Sequence, residues 1–204
     1  MERKSIDRTK NRRKPSGAAV MRPELTTALY RALFEEWAQT GYTGLSMERV
    51  ADRAGAGKAA IYRRWPSKLE FACEAIQSVA FMRLGFADQG SMQADILAYL
   101  KATRAVLRHP LVRRIVPDLI AQRSRSNELS AMLHGLAVAR RKFGNQLLDR
   151  AIARNELQEE FDRELALDLL FSALYGRMII RRKSFTNSDL DRLVIAMVAA
   201  IKAC

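Results

Sequence analysis

The sequence is short of the residues that staple, ligate or span. Its 204 residues include only two cysteines, Cys73 and Cys204, set far apart. That pair builds neither a disulfide framework nor a zinc-ligand spacing, which suits a reducing cytosol. The two histidines, His109 and His134, have no companions at metal-ligand spacing, so neither metal nor cofactor is expected. Apolar runs are short. The longest, near residues 165–180, is interrupted by Asp168 and Arg177 and falls short of a bilayer. The N-terminus lacks the apolar stretch of a secretory signal. No Gly-rich phosphate loop or Gly-x-Ser-x-Gly elbow occurs, and nothing signals catalysis. Strand signals are nearly absent too, and the five prolines and ten glycines fall mostly between helical stretches. The expectation is a soluble, cytoplasmic, all-α protein that is neither an enzyme nor a membrane protein.

Acid is also scarce. Asp and Glu total 22 against 35 Lys and Arg, a formal net charge of +13. Such a surplus favours a polyanionic partner, either nucleic acid or an anionic membrane face. Arginine outnumbers lysine 26 to 9, so compositional bias explains part of the total, but not where the charge sits. Residues 1–14 carry Arg3, Lys4, Arg8, Lys10, Arg12, Arg13 and Lys14 against Glu2 and Asp7. With Ile6 as their one apolar residue beyond Met1, they cannot bury enough surface to fold alone. Residues 1–20 read as a basic arm, suited to a minor groove, to phosphates or to the role of a plain tail.

What is present is helical periodicity. After Pro23, a residue suited to a first turn, Leu25, Ala28, Leu29, Ala32, Leu33 and Trp37 share one helical face, and Gly41 ends it. Ser46 caps a short helix bearing Met47, Val50, Ala51 and Ala54. Gly55 interrupts, "KAAIYRRW" resumes, and Pro66-Ser67 restarts the chain as a fourth helix to about Gly85. Longer helices are expected over 91–108, 110–123, 126–155, 162–183 and 187–202. Asn155 closes the third of these, because Asn tolerates the left-handed conformation.

Two short helices joined by a tight Gly turn, after a longer supporting helix, form a helix-turn-helix. Val50, Ala51, Ala54 and Ile61 let the pair cross closely. The second helix then projects Lys58, Ala59, Ala60, Tyr62, Arg63 and Arg64, as a helix entering the major groove requires.

The stretch "LSMERVADRAGAGKAAIYRRWPSKLEF" resembles the TetR/AcrR family of repressors. The resemblance lies in Ser46, Val50-Ala51, Ala54-Gly55, Tyr62, Trp65, Pro66-Ser67 and Lys68, all in register. It implies phosphate contacts from Ser46, Tyr62 and Lys68, with Lys58, Ala59, Ala60 and Arg63 along the groove. Two departures stand out. Gly57 replaces the Ser or Thr that usually caps the recognition helix, and Trp65 replaces the usual Phe, so its N–H needs a partner. Because Ala59 and Ala60 offer only methyl groups, base reading falls to Lys58 and Arg63.

The resemblance also implies domains at 21–66 (DNA binding) and 67–204 (ligand binding and dimerisation, all helical). The last helix has a one-face stripe of Leu190, Leu193, Val194, Met197, Val198 and Ile201, the expected dimer face. The helix before it is apolar nearly all round. Leu100, Leu119, Leu133, Phe143, Phe171, Tyr175 and Met178 are candidate pocket walls, with Arg104, Arg177 and Asp118 as candidates for polar specificity. The expected function is a homodimeric repressor that grips a palindromic double-stranded operator and is released by a small molecule. The alternatives are an activator, a regulator without a ligand, a basic all-helical enzyme, or a membrane-surface protein anchored by its arm.

Overall fold

The computed structural model describes residues 23–78, 87–122 and 127–204. The basic arm, the expected end of the fourth helix at Gly85 and most of the "SRSN" break lie outside the described residues.

Local chemistry sets each helix boundary. α1 (Pro23–Gly44) opens on Pro23 and buries Leu29, Ala32, Leu33, Glu36 and Trp37 on one face. Gly41 breaks its geometry with φ +70°, so the expected stop is a kink followed by one further turn. α2 (Met47–Ala54) starts at Ser46, whose Oγ accepts the Arg49 N–H at 3.3 Å. It closes on Gly55 in the left-handed region, φ 65°. α3 (Lys58–Arg64) begins at Gly57 with no side-chain cap, as the sequence implies. α4 (Lys68–Ser78) is capped by Ser67, which accepts the Glu70 N–H at 3.2 Å.

The second half comprises α5 (Met92–Arg108), α6 (Pro110–Gln122), α7 (Asn127–Ala153), α8 (Arg163–Tyr175) and α9 (Asn187–Lys202). Asn155 follows α7 with φ 57°. The helix expected over 162–183 is not continuous, because α8 gives way to a π-helical turn at Gly176–Ile180. There the Arg181 N–H reaches back five residues to the Gly176 carbonyl at 3.0 Å. The widened turn sends consecutive residues, Met178 and Ile179, into the core and leaves Ile180 outside. No helix among the described residues is long and apolar enough to cross a membrane.

Two apolar cores result. The first joins Leu29, Leu33, Trp37, Val50, Ile61, Trp65 and Phe71, and it recruits Ile115 and Leu119 from α6 and Leu129 from α7. The second joins α5, the end of α7, α8, the π turn and α9. Each large side chain so buried contributes roughly 1.5–3 kcal/mol. α4 buries Phe71, Ala72 and Ala75 in the first core, so a boundary at residue 66 cuts through a packed unit. Leu119 and Leu133 also belong with this first core, on the DNA-binding side, rather than with a pocket in the second.

α9 packs inward with the stripe that the sequence reading assigns to a partner. Leu190, Val194, Met197 and Ile201 are each no more than 4% exposed within one chain, and Leu193 and Val198 are half-buried against the same core. The last helix lies across α5 and α8, and its periodic apolar face is consumed there. Among the described residues, the large apolar side chains left exposed include Leu165 on α8, Ile180 at the end of the π turn and Ile195 on α9, at 48%, 67% and 63% exposure, besides Ile120 on α6 and Val138 on α7.

Candidate nucleic-acid interface

α3 is held by Ile61, by Trp65 at its C-cap and by a carboxylate below it. Ile61 and Trp65 are buried at 0% and 1%. The Trp65 ring stacks on Phe71 at 4.1 Å between centroids. Its N–H finds the partner it needs in Glu74 of α4, at 2.8 Å. Glu74 also accepts from Tyr30 Oη at 2.6 Å and from Arg64 at 2.7 Å. Burial opposes ionisation there, but the Tyr30, Trp65 and Arg64 donors hold the Glu74 carboxyl below its usual range. Glu74 thereby ties α1, α3 and α4 together.

The outward side chains of α3 fall into three groups. Arg63 is exposed and makes no ion pair or hydrogen bond among the described residues. Arg64 is turned back: it donates to Thr26 Oγ1 at 2.8 Å and to Glu74, and its guanidinium lies 4.5 Å from the Trp65 ring centroid. Lys58 and Tyr62 are exposed but not unengaged. The Lys58 Nζ and the Tyr62 hydroxyl both reach Oε1 of Glu48 on α2, each at 2.8 Å. Ser46 donates to Oε2 of the same carboxylate at 3.0 Å. Lys58, then Tyr62, then the backbone at Glu48 and the Ser46 hydroxyl lower the Glu48 carboxyl to about 2. Glu48 in turn raises Lys58 and Tyr62 above their ordinary values. Ala59 and Ala60 border the same face, Ala59 exposed and Ala60 half-buried.

Lys68 opens α4 and donates to the carbonyls of Tyr42 and Thr43 at 3.1 and 3.3 Å, over the Tyr42 ring. A cation at the end of α1 is favourable there, and one of its three protons stays unassigned. Ser46, Lys58 and Tyr62, which the sequence reading expects to contact DNA, are brought together on Glu48, a residue that reading does not single out. The available signal was an acid among groups otherwise suited to phosphate.

The candidate pocket residues do not converge. Leu100 and Met178 are core, at 0% and 3% exposure. Phe171 stacks on Tyr175 at 5.3 Å, with Arg140 3.8 Å above its ring. Arg104 donates to the Phe185 carbonyl and to Asn187, and Arg177 pairs with Asp189, so both fasten α9. Asp118 accepts from Trp37 and from the Tyr42 N–H, which makes it a joint between α6 and α1. Phe143 lines a cavity with Asp95, Tyr99, Gln146, Leu147 and Arg150. Its volume is about 10 Å³, room for about one water.

A three-helix unit presenting a short basic helix above a larger helical body defines a helix-turn-helix DNA-binding regulator. Residues 29–75 match the family described as bacterial regulatory proteins, tetR family. Residues 86–197 match the tetracyclin repressor-like C-terminal domain. The chain is 31% identical over 186 residues to the uncharacterized HTH-type transcriptional regulator Rv1556 of Mycobacterium tuberculosis, covering 88% of this chain and 87% of that protein. It is 30% identical over 158 residues to the DNA-binding transcriptional repressor TetR of Mycobacteroides abscessus, covering 76% and 82%. The solved structure of the TetR family transcription regulator SCO0332 superposes with a TM-score of 0.66 at 26% identity, covering 89% of this chain and 99% of the other. The chain belongs to the TetR family of transcriptional regulators, and its DNA-binding element is the helix-turn-helix of α2 and α3.

Proposed function

We propose that this regulator is a cytoplasmic homodimeric repressor that binds a palindromic operator and leaves it when a small apolar or amphipathic molecule enters the C-terminal half. The observation that carries the reading is the exposed face of α3, where Arg63 stands uncommitted beside Lys58 and Tyr62. Arg63 reads base edges, while Ser46, Tyr62 and Lys68 hold phosphates. One such helix is too short a reader for a unique site, and a two-fold pair spaced about one turn of DNA supplies the rest.

The partner docks on the outward faces of α8 and α9, where Leu165, Ile180 and Ile195 are exposed. The effector site lies in the second core near the cavity lined by Tyr99 and Phe143. Because that cavity holds about one water, an effector requires α5 and α7 to part, and only a ligand that binds the parted state better shifts the equilibrium. Selection of bound duplexes from genomic and random DNA tests the reading. A recovered palindrome with half-sites about one helical turn apart supports it. Recovery of no enriched sequence by the pure full-length protein defeats it.

A further inference from the structure

We propose that Glu48 occupies the place of a DNA backbone phosphate in the free protein, and that one phosphate displaces it by taking over Ser46, Lys58 and Tyr62 together. The inference deepens the proposed reading of the α3 surface and rests on it. It reassigns Lys58 from base reader to backbone contact.

Geometry points to this exchange. Three donors from three separate positions converge on the two oxygens of one carboxylate: Lys58 and Tyr62 on Oε1, Ser46 on Oε2. A phosphodiester presents the same motif, two non-bridging oxygens sharing one negative charge. Ser46 and Tyr62 are also the residues that family resemblance assigns to phosphates, and Glu48 joins them to Lys58. Folding does not account for the cluster. The side chains of Glu48 and Lys58 are 43% and 64% exposed, and ion pairs so exposed add little to stability. The first core is complete beneath them without any of the three.

The chemistry of displacement follows. A negative side chain on the DNA-facing surface opposes approach of any duplex, whatever its sequence. Binding must break the Lys58–Glu48 pair and free the Tyr62 hydroxyl, and the phosphate then restores both contacts. Glu48, like any glutamate, is ionised throughout ordinary pH, and its donors lower its carboxyl further still, so the competitor does not titrate away. The effect is a uniform lowering of affinity, independent of base identity. Arg63, with no such competitor among the described residues, is left as the base reader.

The test uses the full-length protein with two labelled duplexes: one of random sequence, and the one recovered by selection. Glu48→Gln keeps the shape and removes the charge. It is expected to tighten binding to both duplexes by a similar factor, roughly two- to fivefold at low salt. It should also steepen the dependence of log K on log salt by up to about one unit. Adding Lys58→Met should abolish most of that gain, and Lys58→Met alone should weaken both duplexes without relaxing preference at any base position. Glu48→Ala, checked by an unchanged melting temperature, repeats the gain if the charge is the cause. Weaker or unchanged binding by Glu48→Gln overturns the proposal, since the carboxylate would then be holding α3 in place. Loss of preference at one base in Lys58→Met overturns the reassignment. The random duplex reads the phosphate exchange even if no operator is recovered, so failure of the regulator reading is a separate result.

Discussion

The Trp37 indole N–H donates to Asp118 Oδ2 at 2.7 Å, across the junction between the DNA-binding core and α6. The same oxygen accepts the Tyr42 N–H at 2.9 Å, just past the Gly41 kink, where the Asp118 carboxylate lies 3.5 Å from the place a Cβ would occupy. Trp37 is only 1% exposed, so its N–H has no water to fall back on. Asp118→Ala should therefore cost about 1–3 kcal/mol in urea unfolding, the penalty for an unpaired buried donor. Asp118→Asn keeps an acceptor and should cost less. An unchanged midpoint in Asp118→Ala would mean that the joint contributes nothing.

This contact also marks the limit of what the sequence makes legible. Periodicity and caps reveal helices because they are local, and Ser46, Gly55 and Asn155 each do what their chemistry dictates. The helix-turn-helix surface is legible for the same reason: Ile61 and Trp65 face inward, so Lys58, Tyr62 and Arg63 must face outward. Destinations of long polar side chains are not local. Asp118, a candidate pocket residue by composition, meets Trp37 81 positions earlier. The stripe on α9 is real, but an apolar face does not say whether its neighbour is the same chain or another. Only the packing of α5 and α8 decides that.

Arg63 and Arg64 are adjacent, and the structure gives them opposite employment. Arg63 is uncommitted, whereas Arg64 is spent on Thr26, Glu74 and the Trp65 ring. Arg63→Ala should cost roughly 1–3 kcal/mol of operator binding and relax preference at one base position. Arg64→Ala should lower affinity less, evenly across base substitutions, by loosening the end of α3. Binding measured on a panel of single-base operator variants separates the two. A position-specific loss in Arg64→Ala would return it to the groove.

The burial pattern of α9 sets apart two substitutions two residues from each other. Met197 is 4% exposed in the second core, and Met197→Ala should cost about 2–5 kcal/mol of protomer stability. Ile195 is 63% exposed beside the outward Ala196 and Ala199. Ile195→Glu should leave the protomer's unfolding nearly unchanged while moving the sedimentation coefficient from dimer to monomer and abolishing tight operator binding. A dimeric Ile195→Glu variant would place the partner on another face.

Asp189 closes the capping box at the start of α9, accepting from the Thr186 N–H at 3.0 Å and the Thr186 hydroxyl at 2.9 Å. Those two donors, Thr186 backbone then side chain, followed by Arg192 and Arg177, lower its carboxyl from 3.8 to about 2. Folding therefore favours the ionised form, and the contribution is complete above the unfolded value of 3.8. It fades as pH falls through the interval between 3.8 and about 2, and is lost below that, where both states are protonated. Urea unfolding of the parent chain and of Asp189→Ala should show a constant gap from pH 7 to 5. The gap should then narrow below about pH 4. A gap that stays constant from pH 7 down to 3 would show that the ionised carboxylate is not what the cap uses.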